Sequence, residues 1–158
     1  QIISFEVDLS LEERLREVEN THPNLKVIFQ DIMNVDLNGL CEEFGESQEN
    51  FKYKVVANLP YYITTPIIFK FLDDAKHLES LTIMVQKEVA ERVCAGVGGK
   101  DYGILTVMTN FYGLPKITRI IKRILKKRFA IICLFIIKPP IFQKYMRFIA
   151  VFNYKVSV

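Results

Sequence analysis

Residues 53–66 read Tyr53-Lys54-Val55-Val56-Ala57-Asn58-Leu59-Pro60-Tyr61-Tyr62-Ile63-Thr64-Thr65-Pro66. A short β-branched run, Val55-Val56, leads to a polar residue and breaks at a proline beside two aromatic rings. Pro60 fixes its own φ and keeps Leu59 out of the α region, so the local carbonyls are turned away from any regular ladder. Asn58 offers an amide oxygen and an amide NH2 at the same point. Tyr61 and Tyr62 add flat π faces next to these acceptors, the means by which proteins hold an unstacked base. Taken singly, each feature also fits an ordinary turn with packing aromatics.

Outward from this stretch, strand and helix patterns alternate. Gln1–Val7 alternates as a strand ending in Glu6-Val7-Asp8. Leu9–Val18 places Leu11, Leu15 and Val18 on one helical face, closed by Asn20 and Pro23. Leu25–Phe29 reads as a strand ending in Gln30-Asp31, Leu37–Phe44 as a helix, and Tyr53–Ala57 as the third strand. Further helices are expected at 65–72, 88–95 and 102–112, with a strand at 81–85. This spacing predicts an α/β fold with a mainly parallel sheet covered on both faces. Lys116–Arg128 fits a strand or an amphipathic helix. Phe129–Ile137 is apolar throughout and too short to span a bilayer as a helix.

The 158 residues are enough for one domain with a core. Cys41, Cys94 and Cys133 show no metal-ligand spacing and read as reduced thiols, which suits a cytoplasmic protein; no metal is expected. No signal peptide is evident, no membrane partner is expected, and the absent initiator Met suggests a piece of a longer chain. Charge is unevenly placed. Residues 1–115 carry all 18 acidic side chains against 10 Lys/Arg, whereas residues 116–158 carry 11 Lys/Arg and no acid. Such a basic segment suits a polyanion, or has an origin different from the rest.

In a doubly wound sheet, ligands bind beyond the carboxyl ends of the strands. Glu6, Asp31 and Asn58 fall at three such ends. A carboxylate there can accept ribose hydroxyls or an adenine amine, although a lone one also serves as a turn or helix cap.

Asn58-Leu59-Pro60-Tyr61 is similar to the motif of adenine-amine methyltransferases. Its continuation Tyr62-Ile63-Thr64-Thr65-Pro66-Ile67-Ile68 resembles the small-subunit rRNA dimethyladenosine transferases in particular. Met84–Arg92 and Lys100–Leu105 also look like this family, and the resemblance covers roughly residues 1–121. It implies a Rossmann-like, S-adenosylmethionine-dependent methyltransferase fold and a monomer acting on small-subunit rRNA in a pre-30S particle. By that resemblance Glu6, Asp31 and Ile32 would hold the cofactor's adenosine, with Asn58 between cofactor and target. Asn58, Leu59, Pro60 and Tyr61 would form the catalytic set. Two rival readings are an inactive rRNA-binding or assembly remnant, and a large-subunit rRNA methyltransferase of the macrolide-resistance type. The spelling Leu59-Pro60-Tyr61-Tyr62 favours the small-subunit enzymes.

The chain also departs from the family pattern. The family opens with a strand and a glycine-rich loop, and neither precedes Glu6. The sheet is therefore expected to be incomplete, lacking its central strand between residues 1–7 and 53–58. Residues 1–121 would form a partial catalytic domain. Residues 122–158 would be a basic and apolar tail in place of the family's helical domain. Seventeen of residues 129–158 are Phe, Ile, Lys, Asn or Tyr, the bias of AT-rich codons read out of frame.

Overall fold

The computed structural model describes residues 1–45, 51–60, 62–73, 77–124, 127–136 and 146–152. Among the described residues seven strands form one sheet: β1 (Ile2–Glu6), β2 (Leu25–Phe29), β3 (Lys52–Asn58), β4 (Leu78–Gln86), β5 (Gly113–Ile124), β6 (Lys127–Ile136) and β7 (Met146–Phe152). Five α-helices among the described residues accompany them: α1 (Glu12–Thr21), α2 (Leu37–Gly45), α3 (Thr64–Asp73), α4 (Lys87–Val93) and α5 (Ile104–Tyr112). The spatial order of the strands is β2-β1-β7-β3-β4-β6-β5. The first five are mutually parallel, and β6 runs antiparallel to both β4 and β5. The expected α/β class and parallel sheet are therefore present. Lys116–Arg128, open between strand and helix in the sequence, falls mostly on strand β5.

The place between β1 and β3 is not empty. β7 lies there, parallel to both, with Ile2–Phe5 opposite Phe148–Val151 and Lys52–Asn58 opposite Met146–Phe152. From the sequence, no strand is expected at this position. Backbone ladders are indifferent to where a strand sits in the chain. Two parallel edges with unpaired N–H and C=O groups accept any segment of suitable length and extended propensity. Met146-Arg147-Phe148-Ile149-Ala150-Val151-Phe152 is such a segment, rich in β-branched and aromatic residues.

The core lies on one face of the sheet. Ile3, Phe5, Tyr53, Val55, Ala57, Leu81, Ile83 and Val85 are all buried there by the period-2 alternation of their strands. Helices α2 to α5 cover them with Leu37, Ile67, Ile68, Phe71, Ala90, Val93 and Leu105. Each full burial of a large aliphatic or aromatic side chain stabilises by about 1.5–3 kcal/mol. Cys41 belongs to this cluster, and burial pushes its thiol up to about 11. It is a packing residue, not a poised nucleophile. Thr106 and Thr109 tie α5 to α4 by donating to the carbonyls of Arg92 and Val93, the latter at 3.3 Å.

The sheet edge at β2 is closed by side chains of α1. Arg16 donates to Val27 O at 3.0 Å, and Glu19 Oε1 accepts from Val27 N at 3.0 Å. Arg16 and Glu19 pair at 2.7 Å, and the guanidinium lies 5.0 Å from the Phe29 ring centre. The pair therefore occupies both ladder groups of an edge residue that could otherwise recruit another strand. The expected Leu11/Leu15/Val18 face contributes less than this polar clamp, since α1 holds no buried residue and Val18 is 40% exposed.

Two predictions follow from this architecture. Ala150→Pro, which removes an N–H from the middle of β7, is expected to abolish cooperative melting in circular dichroism. Met146→Pro, at the first strand position, should be tolerated. Separately, the Arg16 bond and the Val27 amide hold the Glu19 carboxyl below its ordinary 4.5. A carboxyl lowered in the folded state contributes stability above its unfolded value, and that stability is lost as pH falls through the folded one. Glu19→Gln should therefore flatten the loss of stability in urea titrations run downward from pH 4.5.

Candidate functional site at the strand ends

The register aligns the ends of the parallel strands. Asn58 is opposite Phe152, and Phe5 is opposite Val151, so Glu6, Phe152 and Asn58 stand level on β1, β7 and β3. Two strand spacings put the Glu6 and Asn58 backbones about 10 Å apart. Asp31 follows β2 on the far side of β1. Three of the polar residues singled out from the sequence are thereby brought to one edge of the sheet.

Glu6 is 2% exposed. Its Oε1 accepts from the backbone amides of Val7 and Asp8, both at 2.8 Å. These bonds turn the chain at the end of β1 and fix the carboxylate in place. Asp8 then caps the next turn, accepting from Ser10 N at 3.0 Å. Asp31 does the same after β2: its Oδ1 accepts from Met33 N at 2.9 Å, opening the one-turn 3-10 helix Ile32–Asn34. The capping role foreseen for these acids is thus real, and each carboxylate retains a second oxygen. Ile32 is 2% exposed, and its side chain lies in the core cluster.

The loop after β3 is held from both sides. Leu59 is 3% exposed, and its amide donates to Met84 O of β4 at 3.4 Å. The Pro60 carbonyl accepts from Ile63 N at 3.3 Å and from Thr64 Oγ1 at 2.8 Å. Thr64 is 2% exposed and opens α3. The sequence reading passed over this residue, although a threonine four residues after a loop proline at a helix start is a recognisable side-chain-to-backbone motif. Tyr61 lies outside the described residues, and Tyr62 is 75% exposed.

Chemically the edge presents carboxylates for hydroxyl or amine donors on one side and an asparagine with constrained carbonyls on the other. Among the described residues no group of His, Cys, Asp and Glu could hold a metal ion. Nor is any described helix long and apolar enough to cross a membrane. A separate cleft of about 370 Å³ is lined by Glu91, Cys94, Lys100, Asp101 and Ile117, and none of the strand-end residues borders it.

Glu6→Ala would remove the acceptor of two amides in a partly buried turn, each bond contributing about 0.5–1.5 kcal/mol, or more to a charged acceptor. It is expected to lower the melting temperature clearly, whereas Glu6→Gln, which keeps an acceptor, should melt close to the wild type.

Known proteins resemble this chain in sequence and in fold. The family model for ribosomal RNA adenine dimethylase matches residues 1–136, which takes in β6 as well as the 1–121 stretch. A ribosomal RNA small subunit methyltransferase A of Alkaliphilus oremlandii is 47% identical over 116 residues, covering 73% of this chain and 39% of that protein. One from Caldanaerobacter subterraneus subsp. tengcongensis is 49% identical over 117 residues, covering 74% and 42%. The chain thus spans about two fifths of the length of the curated relatives it matches. Among solved structures, the 23S rRNA methyltransferase ErmE superposes with a TM-score of 0.70 at 25% identity, over 91% of this chain and 55% of that one. A dimethyladenosine transferase from Plasmodium falciparum gives 0.67 at 24% identity, over 86% and 48%, a likeness of fold.

Proposed function

The chain belongs to the ribosomal RNA adenine dimethylase family, and from that premise we propose that its strand-end site serves methyl transfer to adenine amines of small-subunit rRNA. The observation that carries the reading is the alignment of Glu6 and Asn58 on strands flanking β7, with Asp31 one strand further out.

The residues present fit the adenosine part of S-adenosylmethionine. Glu6 is buried and oriented by its own turn amides, and its remaining oxygen suits a ribose hydroxyl. Asp31 in its capped turn suits a second polar contact, with Ile32 as an apolar neighbour. Bound there, the cofactor would supply an electrophilic methyl group. The fit is poorer for its methionine part, because no glycine occurs in β7 (Met146–Phe152) or in residues 153–158 of the sequence.

On the target side, an adenine amine is a weak nucleophile because its lone pair is delocalised into the ring. Acceptors at the Asn58 side chain and the Leu59 carbonyl would bind its two hydrogens and favour a tetrahedral nitrogen. That arrangement stabilises the charge developing in the transition state. The remaining requirement is in-line proximity, so no general base of histidine type is needed. Tyr61 would stack on the extruded base. Leu59-Pro60-Tyr61-Tyr62 favours a small-subunit rRNA target over a large-subunit one. The glycine-free segment after β7 favours a second reading, an rRNA-binding assembly factor without chemistry. In it, the acid-free residues 116–158 would supply phosphate contacts.

Calorimetry with S-adenosylmethionine separates the two readings. The transfer reading expects binding weaker than micromolar that Glu6→Ala abolishes, together with methylation of unmethylated small-subunit rRNA. In that assay Asn58→Ala should cut turnover far more than RNA affinity, and Tyr61→Ala should cost about 1–3 kcal/mol of stacking. An Asn58→Ala variant that methylates as well as the wild type would remove Asn58 from the mechanism.

A further inference from the structure

The turn Asn58-Leu59-Pro60 owes its shape to a residue outside it. Leu59 is anchored twice, by a side chain that is 3% exposed and by an amide bonded to Met84 O at 3.4 Å. Those contacts fix the incoming side of the turn on β4. On the outgoing side Pro60 has no N–H to give, so only its carbonyl can hold the chain. That carbonyl is taken up by Thr64 Oγ1 at 2.8 Å and more loosely by Ile63 N at 3.3 Å. Thr64 is 2% exposed, so its hydroxyl has no water to turn to as an alternative.

From this geometry we infer that Thr64 is a positioning residue: its hydroxyl turns the Pro60 carbonyl into the start of α3 and thereby limits the direction the Leu59 carbonyl takes beside Asn58. The inference rests on the reading of this turn as the target-adenine site. Its physical basis is that successive peptide planes are coupled. With the Pro60 φ fixed by its ring, rotating the Pro60 carbonyl away from Thr64 takes up the remaining freedom of the turn. A carbonyl released from Thr64 would compete with Leu59 for the incoming amine and misalign its lone pair. The short distance also separates the two donors to Pro60: the hydroxyl makes the closer bond, and the amide of Ile63 follows it.

The alternative is that Thr64 merely starts the helix, since first-turn threonines often bond the carbonyl four residues back. The two roles differ in what they move. The test uses the full 158-residue chain as wild type, Thr64→Val and Thr64→Ser, with two measurements. In amide hydrogen exchange by NMR, Thr64→Val is expected to speed exchange at Ile63 at least tenfold while Ile68 to Leu72 keep their protection. Thr64→Ser should stay within about twofold of wild type. In rRNA methylation, Thr64→Val should lower kcat at least tenfold with KM for RNA unchanged, and serine should restore it. Equal exchange at Ile63 in all three proteins, or a kcat unmoved by valine, would overturn the assignment. Should valine unfold the chain, Thr64→Ala takes its place, and unfolding of both would show that the hydroxyl holds the whole helix and not the turn. A wild-type chain that shows the exchange pattern in these variants but transfers no methyl group would sink the adenine reading of the site and leave the brace intact.

Discussion

The parallel ladder that β7 makes with β1 on one side and β3 on the other joins the two halves of this molecule. Without it, the β1–β2 pair and the β3–β4–β6–β5 sheet share no strand pairing. Each would present an edge of backbone groups left to water or to another strand. The ladder also sets the site. Its register places Glu6 and Asn58 level with each other, so the spacing between a carboxylate and an amide 52 residues apart in sequence is decided by backbone bonds to a third segment.

Around this ladder, polar side chains do work that the backbone cannot. Glu6, Asp8 and Asp31 each accept backbone amides at the point where a strand stops. Arg16 and Glu19 close the outer edge at Val27. Thr64 holds a proline carbonyl whose own residue lacks a donor. In all these places an orphan backbone group is satisfied locally, and the same bond fixes where the side chain that makes it stands.

The chain belongs to the ribosomal RNA adenine dimethylase family, and its structure brings Glu6, Asp31 and Asn58 to one end of the sheet. The relatives are more than twice as long as the matched segment, and β7 stands between β1 and β3, where no strand with a glycine loop is expected from the sequence. A strand supplied from the other end of the chain restores the ladder but carries no glycines behind it. Closure of the ladder is a matter of backbone pairing, whereas a glycine loop is a matter of residue identity.

The local elements were legible in the sequence because their causes are local. Alternation in Leu25–Phe29 and Tyr53–Ala57 marks strands of five and seven residues, and apolar spacing in Thr64–Asp73 and Ile104–Tyr112 marks helices. The strand-end positions of Glu6, Asp31 and Asn58 followed from those boundaries, as did the break at Pro60. Tertiary structure alone decided the rest. The weak face of α1 gave way to an Arg16–Glu19 clamp, because the helix meets an edge strand whose backbone needs partners. The central strand came from Met146–Phe152, since a strand's propensity is written in its own residues while its neighbours are chosen by whichever edges are left unpaired.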